Sequence, residues 1–118
     1  MDIESFRDYC LSKRGTSDDL PFDDETLVFR VMDKIFAITR LSAPRLSVNL
    51  KCDPEKSIEY RDEHVEIEPG FHMNKKHWNT VDFEGDLSEE FLRTLIDHSY
   101  ELVVKGLKKS DRQMLEQL

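Results

Sequence analysis

Residues 69–81 read Pro-Gly-Phe-His-Met-Asn-Lys-Lys-His-Trp-Asn-Thr-Val, which brings two imidazoles, two ammonium groups, two side-chain amides and the only tryptophan into one short stretch. These groups are suited to binding rather than to bond making. Lys75 and Lys76 can meet phosphate oxygens, Trp78 can stack on a base or pack beside a partner, and Asn74 and Asn79 can hydrogen-bond base edges or backbone. A purely structural reading competes with this one. Tryptophan where a strand begins commonly anchors a core or a rim, and asparagine before lysine closes a turn through its own side chain.

His72 and His77 lie five residues apart, but zinc takes three or four ligands, and no cysteine or further histidine falls at a matching spacing. Neither a metal nor another cofactor is expected. His64 and His98 read as a helix-end and a helix-face residue, solvated or hydrogen-bonded. Carboxylates adjoin at Asp18-Asp19, at Asp23-Asp24-Glu25 and at Glu89-Glu90, yet acid–base chemistry needs two groups in a cleft with separated pKa values. These runs read as solvated charge. With no G-x-S-x-G elbow, Walker loop or G-x-G-x-x-G turn, and only four glycines, the expectation is a protein that is not an enzyme.

The formal charge of −8 works against diffuse attraction to nucleic acid, so the distribution of charge matters more than the sum. Residues 34–52 carry Lys34, Arg40, Arg45 and Lys51 without one acid, and residues 70–81 carry Lys75 and Lys76, again without one. Folded side by side, the two windows would make a neutral-to-basic face on an acidic body.

The elements that must position these residues can be read from periodicity. Asp2 caps a helix over residues 3–13, with Ile3, Phe6, Tyr9 and Cys10 on one stripe and Gly15 past its end. Residues 16–25 form an ordered, turn-rich connection with Leu20 and Phe22 tucked beneath it. Residues 26–32 and 35–39 are two strands of a hairpin around Asp33-Lys34, and residues 45–52 a third whose Leu46, Val48, Leu50 and Cys52 face inward. Asp53-Pro54 starts a short helix that turns Ile58 and Tyr60 inward. Val65 and Ile67 mark a fourth strand, and residues 77–83 a fifth, with Val81 and Phe83 opposite Trp78 and Thr80. Ser88 opens a long amphipathic helix ending at Gly106, and Ser110 caps a last short one carrying Met114, Leu115 and Leu118. The order predicts one α+β domain over residues 1–118: a two-layer α/β sandwich with an antiparallel sheet, α-β-β-β-α-β-β-α plus a short C-terminal helix.

The first residues are acidic and lead straight into the amphipathic pattern, and no apolar run approaches the ~20 residues of a membrane span. Cys10 and Cys52 read as buried, unpaired thiols, so a cytoplasmic location is expected, without membrane contact.

Several segments together resemble the MmcQ/YjbR-like family of small bacterial proteins, essentially from end to end. They are Lys13-Arg14-Gly15, Phe29-Arg30-Val31, Lys34-Ile35-Phe36-Ala37, Ser47-Val48-Asn49-Leu50-Lys51, the stretch from His72 to Val81, and Asp97-His98-Ser99-Tyr100. The resemblance implies a two-layer α/β fold similar to secretion-chaperone-like folds, and a DNA-binding role by analogy with double-wing folds. It places His72, Asn74, Lys75, Lys76, His77 and Trp78 at the characteristic surface, with Arg45 and Lys51 as neighbours. The sequence departs from a basic DNA binder in its overall acidity, with Val65-Glu66-Ile67-Glu68 just before the signature. Two functions are therefore expected to compete: a non-enzymatic domain binding DNA, and a protein-interaction or chaperone-like module, monomeric or homodimeric, that receives a peptide or partner on its sheet. An enzyme acting on a small metabolite is motivated only by the His and Asn content of the signature.

Overall fold

Asp2, Asp53 and Ser88 each begin a helix by accepting backbone N–H groups that the first turn cannot satisfy. Asp2 accepts from Ser5 at 2.8 Å ahead of α1 (Ile3–Leu11). Asp53 accepts from Glu55 and Lys56 at 3.1 and 3.2 Å ahead of α2 (Pro54–Glu63), with Pro54 at the first helical position. Ser88 accepts from Phe91 at 3.1 Å ahead of α3 (Glu89–Lys105). The last helix, α4 (Lys109–Glu116), starts earlier than its sequence suggests, with Lys108 at the cap and Ser110 inside the helix. Only Leu115 of its apolar residues is buried, while Met114 and Leu118 are exposed.

The computed structural model describes residues 1–70 and 73–118, and the strands form one antiparallel sheet in the order β1-β2-β3-β4-β6-β5. The strands are β1 (Thr16–Asp19), β2 (Thr26–Val31), β3 (Lys34–Arg40), β4 (Ser47–Lys51), β5 (Ile67–Pro69) and β6 (Trp78–Asp82). The α+β architecture and the element order agree with the sequence, with one addition. Residues 16–19, read as part of a connection, pair with β2 from Thr16↔Val31 to Asp19↔Val28. Ser and Asp have little intrinsic strand preference. Here Asp18 meets Arg7 of α1 at 2.7 Å and Asp19 meets Arg30 of β2 at 2.9 Å, so tertiary partners overrule local preference.

Three smaller expectations are corrected. Leu20 and Phe22 do not tuck beneath their loop, because Asp23 Oδ1 gathers the Glu25 and Thr26 N–H groups into a tight turn that leaves Phe22 69% exposed. Ile58 points outward because α2 turns Ser57 and Tyr60 toward the core instead. Val65 lies before the strand and is exposed, with Ile67 buried in its place.

All four helices contribute to one core, on one face of the sheet. Phe6 of α1 meets the rings of Phe29 and Phe83 edge-on, with centroids 5.1 and 5.4 Å apart, and Leu92, Leu95, Ile96 and Val103 of α3 cover the middle strands. Strand alternation sends Leu27, Phe29, Val48, Leu50 and Val81 to this side. Asn49, Lys51, Trp78 and Thr80 therefore lie on the other, open face, half-buried.

Candidate functional site

Residues 74–78 form a tight turn that delivers the chain into β6. The Asn74 side chain accepts the Lys76 N–H at 2.9 Å, and its carbonyl accepts the His77 and Trp78 N–H groups at 3.2 and 2.9 Å. Asn74 is thus used by the turn itself, with Lys75 and Lys76 carried on its exposed side. On the far side the His77 carbonyl accepts the Cys52 N–H at 2.8 Å, and Lys51 stands directly opposite Trp78 in the β4–β6 register. Gly70 closes the turn from behind, donating to the Trp78 carbonyl at 2.8 Å. A Cβ there would stand 2.9 Å from the Cβ of Trp78, so only glycine lets the two backbones approach this closely.

The side chain that holds the turn is Arg61, in the last turn of α2. Its Nε donates to Asn79 Oδ1 at 2.8 Å, and one terminal nitrogen donates to the carbonyls of Lys75 at 2.5 Å and Trp78 at 3.3 Å. Asn79 is 2% exposed and donates in turn to the Ser57 hydroxyl at 3.2 Å. The sequence carried one signal of this network. Placing Val81 and Phe83 on the inner face of β6 puts Asn79 there too, and a buried amide demands partners. Arg61 gave no such signal, since arginine near a helix end is ordinary.

Lys51 is positioned from the core side. Its N–H donates to the Ser99 hydroxyl at 2.8 Å, and that hydroxyl donates to the Phe36 carbonyl at 2.5 Å. The neighbouring residues of α3 reach other elements. Asp97 Oδ1 receives the Tyr9 hydroxyl at 2.6 Å and the Lys13 ammonium, His98 Nε2 accepts the Asp53 N–H at 3.1 Å, and the Tyr100 hydroxyl donates to the Arg14 carbonyl at 2.6 Å. The segment 97–100 is therefore a clamp joining α1, the start of α2, β3 and β4.

Of the residues nominated from sequence, Asn74, Lys75, Lys76, His77, Trp78 and Lys51 come together at one end of the sheet, where the turn adjoins β4. Arg45 does not join them. It lies six residues from Lys51, about 20 Å along an extended strand, and its guanidinium is paired with Asp82 at 2.9 Å. Arg40 is likewise paired with Glu25 at 3.1 Å. The two acid-free windows thus meet only where Lys51 adjoins residues 74–78. His72 lies outside the described residues. Among those described, no ion pair engages Lys51, Lys75 or Lys76. Charge reverses along the face, where a cleft of about 270 Å³ is lined by Ser47, Val65, Glu66, Glu68, Thr80 and Asp82.

Both thiols are buried and unpaired. Burial pushes Cys10 up to about 12 and raises Cys52 as well, so neither is a ready thiolate. Among the described residues no three of His, Cys, Asp and Glu gather closely enough to hold a metal ion.

Residues 11–102 match the family model YjbR. The Escherichia coli (strain K12) protein YjbR, of uncharacterised function, is 33% identical over 118 residues, covering 100% of both chains. The Escherichia coli O157:H7 protein YbdF, also uncharacterised, is 43% identical over 93 residues, 79% of this chain and 76% of its own. The crystal structure of Deinococcus radiodurans protein DR2400, a DUF419 domain, superposes with a TM-score of 0.90 at 39% identity, covering 97% of this chain and 87% of that one. On the family match and the full-length similarity together, the chain belongs to the YjbR family.

Proposed function

We propose that this protein is a non-enzymatic, cytoplasmic nucleic-acid-binding domain whose contact surface is Lys51, Lys75, Lys76 and Trp78. The observation that supports the reading is the gathering of three lysines, none ion-paired among the described residues, beside a half-buried tryptophan on an open sheet face. The charge of −8 opposes it at long range, but that repulsion decays over about 8 Å at physiological ionic strength, whereas lysine–phosphate contacts act locally. Binding is accordingly weak and sensitive to salt. Burial keeps both thiols in their neutral form, which argues against a cysteine nucleophile, and two unpaired thiols suit a reducing compartment. Fluorescence anisotropy with labelled DNA at low salt tests the reading. Binding should appear, fall steeply as salt is added, and vanish when Lys75 and Lys76 are both changed to Glu. Failure of the unmodified protein to bind any DNA at low salt would overturn it.

A second reading, a protein-interaction module, is favoured by exposed Leu20, Phe22 and Leu41 in neighbouring loops at the other end of the molecule, joined by the Leu41 N–H to Glu25 carbonyl bond of 2.7 Å. Strand addition at a sheet edge is disfavoured within it. One edge strand is three residues long and ends in Pro69, and the other carries Asp18 and Asp19. Light scattering, with capture of a nuclease-resistant partner that Phe22→Ser abolishes, separates this reading from the first.

A further inference from the structure

We infer that the nucleic acid taken by this surface is single-stranded DNA, with a base stacked on the indole of Trp78 and adjacent phosphates held by Lys51, Lys75 and Lys76. The inference rests on the nucleic-acid reading above and narrows its ligand.

Most of the other aromatic rings are spent on one another, while Phe22 is exposed in a loop at the far end of the sheet. Phe6 meets Phe29 and Phe83, Phe36 meets Tyr100 at 5.6 Å, and Tyr60 and His64 meet Phe91 at 5.4 and 5.0 Å. Trp78 is half-buried, with part of its surface open to solvent, and among the described residues it has no ring or cation–π partner. An indole left in this state on an open sheet face is the geometry of a stacking platform, and a base supplies a π-face whatever its identity. A duplex keeps those faces buried in its own stack, so reaching one costs a few kcal/mol of unstacking that a single strand does not incur.

The backbone that carries the indole is also fixed before any ligand arrives. The Trp78 N–H is held by the Asn74 carbonyl at 2.9 Å, its carbonyl receives both Gly70 and Arg61, and Lys51 opposite is tied to Ser99. Little backbone freedom remains to be lost on binding. The lysines flank Trp78 from β4, through Lys51, and from the turn, through Lys75 and Lys76, so a strand backbone neutralised by them passes across the indole. The next hydrogen-bonding side chains along the face, Thr80 and Asn49, are bonded to each other at 2.5 Å. Stacking and phosphate contact need no 2′-hydroxyl, so DNA meets every requirement the site sets.

Trp78 is the only tryptophan, so its fluorescence reports on the platform directly. The full chain is titrated at low salt with oligo(dT), with an abasic strand of equal length, with a duplex of equal charge, and with oligo(U) RNA. Oligo(dT) should quench the emission and bind about tenfold more tightly than the abasic strand or the duplex. Three lysine contacts should give a log–log salt slope near about −2. Read instead by the anisotropy of labelled strands, Trp78→Phe should keep the single-strand preference and Trp78→Ala should lose it, the far-ultraviolet spectrum reporting that each variant is folded. The comparison of native protein on oligo(dT) and abasic strand holds even if Trp78→Ala does not fold. A duplex bound as tightly as oligo(dT), tighter binding of oligo(U), or binding without quenching overturns the single-strand inference while leaving the broader reading in place. No binding to any strand overturns both.

Discussion

The Ser99 hydroxyl is fully buried in α3, where it gives its proton to the Phe36 carbonyl and takes the Lys51 N–H. Alanine at this position leaves a donor on β4 and an acceptor on β3 unpaired in the core, and an orphaned buried group costs about 1–3 kcal/mol. Ser99→Ala should therefore lower stability by about 2 kcal/mol or more, seen as a fall in the urea midpoint at unchanged slope. His98, one residue earlier, accepts the Asp53 N–H through Nε2, which only the neutral ring can do. Burial, aided by Lys56 and Lys105 and opposed by Asp53 and Glu101, holds its pKa below the ordinary value of 6.5. The unfolded chain thus binds this proton more readily than the folded one. The stability it contributes is complete above about pH 6.5 and is lost as the pH falls through the lowered folded value. Urea midpoints measured between about pH 8 and about pH 5 should decline toward acid, and less so in His98→Asn.

At the scale of elements, Gly15 links α1 to β1 with φ +73°, and its missing side chain is where Leu115 of α4 comes to rest. A Cβ would collide with Leu115 Cδ1 and lie 3.3 Å from Leu118 Cδ1. Gly15→Ala should cost about 1–2 kcal/mol for the left-handed backbone alone and should also unseat α4. A thermal melt would read the first effect, and faster amide exchange confined to residues 109–116 the second. The elements that periodicity revealed were those with one wet and one dry face. α3 showed its stripe because Leu92, Leu95, Ile96, Ser99 and Val103 share one buried side, and β4 alternated because Val48 and Leu50 face the core while Asn49 does not. β1 was hidden because its residues Thr-Ser-Asp-Asp carry no apolar alternation, and Arg7 and Arg30 that hold it come from elsewhere in the chain.

The whole molecule measures 39 × 33 × 26 Å and carries a charge of −8. At about 10 mM salt the screening length is about 30 Å, nearly the size of the protein, so its acids repel one another throughout; at about 150 mM it shrinks to about 8 Å. Added sodium chloride should therefore raise the melting temperature over this range while weakening any nucleic-acid complex. A melting temperature that falls instead would mean that the surface ion pairs of Arg7, Arg30, Arg40 and Arg45 outweigh the self-repulsion.

Composition and periodicity by themselves determined the α+β class, the helix starts at Asp2, Asp53 and Ser88, and the stretch around Trp78 as the chemically richest segment. Each of these is a local property, legible from a cap, an apolar repeat or a cluster of side-chain types. Only the tertiary structure decided that Lys51 joins Lys75 and Lys76 while Arg45 is taken by Asp82, that Arg61 holds the turn, and that Asn79 is buried. Those outcomes depend on the β4–β6 register and on where α2 docks, contacts between residues far apart in the chain that no local window contains.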